Sequence, residues 1–136
     1  MLTADCIVAN ERGELLLVRR GSEPFKGCWA LPGGFREMDE RLERCAVREL
    51  EEETGLVVGE EDIRLVGVYS APERDPRGRT VSAAFLVRGA WPSAKGEPHA
   101  GDDAAEVRWW PMAALPTLAF DHAEIVADAQ RQMLTK

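Results

Sequence analysis

The sequence predicts a layered α/β fold, and three observations support this prediction. Apolar runs rich in β-branched residues recur along the chain at strand length, whereas two other segments carry apolar residues at helical spacing. A length of 136 residues is enough for one domain whose core folds without disulfides. We therefore expect residues 1–136 to form a single domain in which helices pack against a sheet.

The strands are predicted by apolar runs that turn residues separate. Residues 10–13, Asn-Glu-Arg-Gly, lie between the first two runs and predict a hairpin. A short run before Pro32 leads into a pair of glycines. The predicted strands are residues 2–9, 15–18, 29–31, 63–70, 80–87 and 106–110.

Two amphipathic helices are predicted, at residues 41–54 and 122–134. Gly55 follows the first helix and can adopt the left-handed conformation of a C-terminal cap. Asp121 precedes the second helix and is a typical N-cap residue.

Composition excludes several classes of protein. No apolar run approaches the ~20 residues of a membrane span, and no signal peptide opens the chain, so we expect a cytoplasmic protein. Cys6, Cys28 and Cys45 are an odd number without a Cys-x-x-Cys pair, which favours buried, reduced thiols over disulfides or zinc. The formal charge of −7 argues against a nucleic-acid scaffold. An anionic phosphate substrate would then need metal ions to supply positive charge.

One stretch carries most of the chemical information, and it lies at residues 34–56. Its distinctive residues are Gly34, Glu40, Arg48, Glu49, Leu50, Glu52, Glu53, Gly55 and Leu56. Three glutamates stand at i, i+3 and i+4, so they share one stripe of the helix and repel one another. A hard cation such as Mg²⁺, which prefers oxygen ligands, would relieve that repulsion. The alternative is a solvated acidic helix face.

The glycines before this helix are a second candidate feature. Gly33 and Gly34 would allow positive φ and would let the backbone offer a carbonyl or amides to a metal or phosphate. They could equally form a simple turn.

The stretch resembles the signature of the Nudix hydrolases, which cleave nucleoside diphosphates linked to another moiety. The resemblance implies a Nudix-type α/β/α sandwich with a mixed central β-sheet. It also implies Mg²⁺, with Mn²⁺ able to substitute, held by Glu52 and Glu53 as principal ligands. Glu49 would be a further ligand or the general base, and the Gly33 carbonyl would complete the site.

Other residues take supporting roles by the same resemblance. Arg48 would orient Glu49, and Glu40 would be either an accessory acid or a helix-stabilising partner. Glu49 can reach an attacking water from the helix, but many relatives use an acid in a loop before the last strand. The candidates here are Glu97, Asp102, Asp103 and Glu106, and the choice stays open.

The loop at residues 71–79 is the best indication of substrate. Prolines stiffen it, and Arg74, Arg77 and Arg79 could donate to phosphate or ribose, although a charged surface hairpin is the alternative. This loop and residues 118–122 resemble the ADP-ribose pyrophosphatase branch of the family. Phe35 and Tyr69 lie near these segments in sequence and are candidates for stacking on adenine.

The expected reaction is Mg²⁺-dependent hydrolysis of ADP-ribose to AMP and ribose 5-phosphate. One alternative is a nucleoside triphosphate pyrophosphohydrolase, against which the arginine loop argues. Another is a non-catalytic ADP-ribose sensor; the three glutamates argue against it, as does an end at Lys136 that leaves no room for a DNA-binding module. We expect a small nucleotide diphosphate as partner, neither nucleic acid nor membrane, and a homodimer by analogy with that branch.

Overall fold

Seven strands and two helices form the part of the chain that the computed structural model describes, namely residues 1–88, 98–101 and 104–134. The strands are β1 (Leu2–Ala9), β2 (Glu14–Arg20), β3 (Trp29–Ala30), β4 (Gly33–Phe35), β5 (Ile63–Tyr69), β6 (Val81–Arg88) and β7 (Ala104–Pro111). The helices are α1 (Leu42–Thr54) and α2 (His122–Leu134), with short 3₁₀ helices at Glu60–Asp62 and Met112–Ala114.

The strands form one mixed sheet, as expected. Its main path runs β3-β2-β1-β6-β5, while β4 pairs with β1 and β7 pairs with β2. Strands β1 and β6 are parallel, and the other pairs are antiparallel. A parallel pair needs a long connection, and here that connection carries the glycines, α1 and β5.

One helix covers each face of the sheet, which confirms the layered α/β arrangement. Helix α1 buries Cys45, Ala46 and Leu50 in a core that includes Ala4 and Cys6 of β1. Helix α2 packs against the opposite face, where its buried residues Ile125, Val126 and Ala129 meet Ile7 and Leu86. Successive residues of β1 therefore contribute to opposite cores, as the alternation of a strand requires.

The expectation of positive φ at Gly33 and Gly34 is wrong. The two residues extend as strand β4 and pair with β1, and the positive-φ glycines of the described residues are Gly13, Gly27, Gly55 and Gly78. Close approach explains them instead: a Cβ on Gly33 would collide with Asp5 and the Ala4 carbonyl. A Cβ on Gly34 would lie 2.5 Å from the Glu49 carboxylate, so these glycines let β4 approach both β1 and α1.

Both predicted helix ends are observed, with one difference in side-chain role. Gly55 has φ 79° and donates its N–H to the Glu51 carbonyl, so the predicted cap of α1 is confirmed. The Asp121 carbonyl accepts from Glu124 at the start of α2. Its carboxylate, however, accepts two hydrogen bonds from Arg74, at 2.8 and 2.7 Å.

The cysteines are all free thiols, in agreement with the sequence. Cys6 and Cys45 are buried as expected, whereas Cys28 is only half-buried because it lies at the edge of a small satellite core. Neither helix in the described ranges is long and apolar enough to cross a membrane.

Candidate active site

A cleft of about 330 Å³ opens between the β4–α1 wall and a wall formed by residues from the 71–79 loop, β6 and the start of α2. Its lining includes Asp5, Gly33, Gly34, Phe35, Glu49, Glu53, Arg74, Asp75, Arg77, Phe120 and His122. The structure thus brings most of the predicted site residues to one place.

Arg48 organises the acidic wall. Its Nη1 donates to Oε2 of Glu49 at 2.8 Å and to Oε1 of Glu52 at 3.1 Å. Its Nε and Nη2 donate to the two oxygens of Glu40, at 2.7 and 2.9 Å. These hydrogen bonds lower the pKa of Glu40 to about 2, and Glu40 in turn raises the pKa of Arg48. Glu40 thus has the geometry of a partner that holds Arg48 in place.

Glu53 lies deepest on this wall. Its Oε1 accepts the Gly33 N–H at 2.8 Å, yet burial raises its pKa to about 8. Burial also raises the pKa of Glu49, whose side chain is 15% exposed, although Arg48 opposes that shift. Burial raises the pKa of a carboxylate when nearby positive charge does not compensate for the lost hydration. The acidic wall therefore has less positive charge than its carboxylates need, and we call it electrostatically incomplete in that sense.

The donor chemistry of this wall fits a hard divalent cation, because every candidate ligand atom is oxygen. In the described part of the chain, however, no three acidic, histidine or cysteine side chains are already assembled around one point. The hydrogen bonds explain this: Arg48 holds Glu49 and Glu52, and Gly33 holds Glu53. A cation would have to compete with those bonds, and would stabilise the ionised forms of Glu49 and Glu53, which burial disfavours.

Arg74 belongs to the opposite wall, where its guanidinium is already paired with an acid. Its side chain is 4% exposed and forms a two-pronged ion pair with Asp121. Its Nη1 also donates to Oγ of Ser82 at 2.8 Å. Arg74 therefore joins the loop, β6 and the start of α2 beneath the cleft.

Arg77 faces the cleft between two aromatic rings. Its Cζ lies 4.9 Å from the centre of the Phe35 ring and 5.6 Å from that of Phe120. Asp75 holds the guanidinium through bonds of 3.1 and 2.8 Å. Arg20 stacks on Phe120 as well, at 5.0 Å. Phe120 lies within the 118–122 segment that the sequence analysis singled out, whereas nothing local pointed to Arg20.

Several predicted residues do not line the cleft, and one of them is Glu52, which is exposed and accepts a hydrogen bond from Arg48 at 3.1 Å. Tyr69 donates its hydroxyl to Asp128 at 2.7 Å and lines a separate groove of about 850 Å³ between β5 and α2. Arg79 is exposed, and Glu106 is on β7, where it pairs with Arg19 at 3.4 Å. The groove is larger than the cleft but contains none of the signature glutamates, so chemistry favours the cleft. Glu97, Asp102 and Asp103 fall outside the described residues.

Sequence reasoning missed several buried polar residues of the cleft, among them Asp5 and His122. Burial raises the pKa of Asp5 to about 7, with Arg74 opposing the shift. Burial lowers the pKa of His122 to about 4. Asp5 lies in the first strand, and His122 was interpreted only as a helix-start residue. No spacing rule connects positions so far apart.

Known proteins resemble this chain over most of its length. The NUDIX domain family matches residues 1–129. An ADP-ribose pyrophosphatase of Methanocaldococcus jannaschii is 45% identical over 124 residues, which cover 91% of this chain and 70% of that protein.

Two solved structures extend the comparison. The NUDIX domain of Shewanella oneidensis NrtR, in complex with ADP ribose, has a TM-score of 0.83 and 30% identity over 98% of this chain and 88% of that one. A bifunctional NMN adenylyltransferase/ADP ribose pyrophosphatase of Francisella tularensis, in complex with AMP and a Mn ion, has a TM-score of 0.84 and 33% identity over 96% of this chain. This chain spans only 41% of that bifunctional protein.

The chain therefore belongs to the Nudix family, and its fold is the Nudix α/β/α sandwich. The family match and the similarity to the archaeal pyrophosphatase show that it is a Nudix pyrophosphohydrolase.

Proposed function

We propose that the chain hydrolyses the pyrophosphate bond of ADP-ribose with Mg²⁺, giving AMP and ribose 5-phosphate. The observation that carries the proposal is the incomplete acidic wall, where Glu49 and Glu53 have raised pKa values and face Arg77 across one cleft. Two named relatives add support for the substrate: the archaeal protein is an ADP-ribose pyrophosphatase, and the Shewanella domain was solved with ADP ribose.

In this proposal Glu49, Glu52, Glu53 and the Gly33 carbonyl hold the metal ions, with Mn²⁺ as a substitute for Mg²⁺. The Mn ion in the Francisella structure supports that substitution. Bound ions would supply positive charge to the diphosphate and acidify an attacking water.

The side chains then have distinct tasks. Arg48 orients Glu49 through the Nη1–Oε2 hydrogen bond, and a carboxylate accepts the proton of the attacking water. Glu49 lines the cleft whereas Glu106 is paired on β7, so we favour Glu49 over Glu106 as the base. Glu97, Asp102 and Asp103 stay candidates for that role.

For substrate binding we propose direct contacts from Arg77 and Phe35, whose guanidinium and ring already stack at 4.9 Å. Arg74 would act beneath them by holding the wall in place through Asp121. Arg79 and Tyr69 lie away from this cleft, and their contact with substrate stays a prediction.

A second candidate function is binding of ADP-ribose without turnover. The Shewanella domain in complex with ADP ribose favours it. The full set of acids at Glu49, Glu52 and Glu53 favours the enzyme, because a sensor does not need the charge neutralisation that hydrolysis requires.

The test is a panel of ADP-ribose, other nucleotide sugars and nucleoside triphosphates, incubated with Mg²⁺, Mn²⁺ or excess chelator and resolved by chromatography. We expect AMP from ADP-ribose with either ion and none with chelator. Glu53→Gln should lose this activity, whereas Glu51→Gln, an exposed neighbour on the same helix, should keep it.

Two outcomes would overturn the proposal. Pyrophosphate release from a triphosphate with ADP-ribose untouched would indicate the pyrophosphohydrolase alternative. Binding of ADP-ribose without any product would indicate the sensor.

We further propose that residues 1–136 act as one catalytic domain in the cytoplasm, without nucleic-acid or membrane partners. We also propose that the chain forms a homodimer. Cell fractionation would test the location, and sedimentation would test the assembly.

A further inference from the structure

His122 presents an unused hydrogen-bond donor to the cleft. The residue is 5% exposed and lines the cleft floor. The Leu31 N–H donates to its Nδ1 at 3.0 Å, so Nδ1 must carry a lone pair. Since burial lowers the pKa of this imidazole to about 4, the ring is neutral near neutral pH and its proton resides on Nε2.

Nε2 makes no hydrogen bond to any residue within the described ranges. Its nearest acidic neighbour is Oδ2 of Asp5, at 4.0 Å, which is beyond hydrogen-bond distance. Both side chains are at least nine-tenths buried, with exposures of 6% and 9%. Nε2 is not one of the fully buried unpaired polar atoms of the described residues, so its N–H is open to the cleft. A donor that faces the cleft without a protein acceptor can donate to a ligand, so this gap is a place where a ligand group would be stabilised.

Asp5 supplies the other half of the gap. Gly33 packs closely against it: a side chain at this position would collide with Oδ1 of Asp5, because a Cβ there would overlap that oxygen. Arg74 partly offsets its charge, but Arg74 is itself paired with Asp121. Ser82 also hydrogen-bonds to Asp5. A carboxylate can accept several hydrogen bonds, so Asp5 still offers an acceptor oxygen toward the cleft.

The chemistry of the gap selects one kind of group. An oxygen placed about 2.8 Å from both Nε2 and Oδ2 spans a 4.0 Å separation without strain. That oxygen must accept from Nε2–H and donate to the carboxylate, which a hydroxyl does. A phosphate oxygen only accepts and would be repelled by ionised Asp5, and an ammonium group cannot accept from His122.

Position relates this gap to the acidic wall. Gly33 donates its N–H to Glu53 and packs its Cα beside Asp5. A ligand whose diphosphate sits at Glu53 would therefore bring a directly attached sugar to the gap. We propose that Asp5 and His122 form a hydroxyl-binding subsite that recognises a sugar of the substrate and so determines specificity. This inference rests on the proposed function.

ADP-ribose carries a ribose on each side of its diphosphate, so analogues must distinguish the two. One analogue lacks the 2′-hydroxyl of the adenosine ribose, and a second lacks the hydroxyls of the terminal ribose. Wild-type kcat/KM should fall by roughly 10- to 100-fold for one of them, since an unmade hydrogen bond to a buried polar group costs about 1–3 kcal/mol. The analogue that loses activity identifies the bound sugar, and equal kcat/KM for all three substrates would overturn the proposal.

His122→Asn separates binding from structure. The asparagine side chain keeps an acceptor near the Nδ1 position for the Leu31 N–H and removes the Nε2 donor. The variant should lose the preference for ADP-ribose over the discriminating analogue. His99→Asn, at the other histidine of the chain, should retain that preference. A His122→Asn variant that slows on all three substrates equally would indicate a merely structural role and contradict the proposal.

Nuclear magnetic resonance of ¹⁵N-labelled histidine gives a readout independent of turnover. Only two histidines are present, so His99→Asn assigns the spectrum. Metal-free protein should show His122 as the neutral Nε2–H form, and ADP-ribose should shift that proton whereas the discriminating analogue should not. A shift without hydrolysis would keep the subsite and overturn the proposed reaction. Hydrolysis without a shift would keep the reaction and overturn the subsite.

Discussion

The two walls of the cleft differ in how far their charged side chains are paired. On the β4–α1 wall, burial raises the pKa values of Glu49 and Glu53. Among the described residues, the only side-chain cation that hydrogen-bonds to Glu49 is Arg48, which also binds Glu40 and Glu52. On the opposite wall, each arginine that lines the cleft has its own acid: the buried Arg74 pairs with Asp121, and the exposed Arg77 pairs with Asp75.

The difference separates a wall whose carboxylates require a cation from one whose arginines are already paired. Carboxylates that keep raised pKa values in the folded chain are stabilised when a cation arrives. Closed ion pairs gain nothing from one. We therefore expect metal ions to affect the β4–α1 wall alone. Substitutions on that wall should mainly lower activity, whereas substitutions on the opposite wall should mainly lower stability.

Glu53→Gln should have the largest effect. Removing a metal-holding carboxylate should lower kcat on ADP-ribose by at least about 100-fold, because the stabilisation of charge in the transition state is worth several kcal/mol. The same variant should melt at a higher temperature than wild type in metal-free buffer at alkaline pH, since it removes a buried charge. Calorimetry and a steady-state assay measure the two quantities, and a lower metal-free melting temperature would contradict the comparison.

Asp121→Asn should act on stability instead. The change leaves the buried Arg74 guanidinium without its charged partner and should cost about 2 kcal/mol, roughly a 30-fold shift in the folded-to-unfolded ratio. Denaturant unfolding should show the same loss with and without Mg²⁺. Arg41→Gln breaks an exposed pair with Glu60 and should change stability by only about 0.5 kcal/mol. Full rescue of Asp121→Asn by Mg²⁺ would mean that the walls are not independent.

Gly34→Ala should have a smaller effect, confined to the position of Glu49. The new Cβ would lie 2.5 Å from that carboxylate, so the side chain must move, and we expect about a tenfold loss of kcat/KM. Gly67→Ala is a matched control in β5, because its nearest contact is the end of the Tyr69 side chain at 3.3 Å. Unchanged activity in Gly34→Ala would show that Glu49 need not occupy its present place.

Sequence reasoning predicted the α1 wall because its information is local. Glu49, Glu52 and Glu53 share a helical stripe through spacing alone, and Gly55 ends the helix where a left-handed residue is needed. The mixed sheet followed from the resemblance rather than from periodicity, and the strand order was not predicted. Strand β4 was missed because three residues containing two glycines carry no apolar alternation.

The opposite wall could not be predicted in the same way. Arg74 and Asp121 are 47 residues apart, and the Leu31–His122 hydrogen bond spans 91. Such contacts depend on how β6 and α2 meet, which no local pattern encodes. The arginines of the loop suggested phosphate binding, but local sequence did not indicate that Arg74 is buried and paired with Asp121.

The most direct test of the difference between the walls is proton release on metal binding. Folding raises the pKa of Glu53 from 4.5 to about 8, so its protonated form stabilises the folded protein fully below pH 4.5, and that stabilisation is lost as pH rises through about 8. Near neutral pH, Mg²⁺ must therefore displace a proton. Calorimetric titration in buffers of different ionisation enthalpy should show release of up to about one proton in wild type and clearly less in Glu53→Gln. Equal proton release from both proteins, or none from either, would contradict the view that Glu53 is the incomplete part of the cleft.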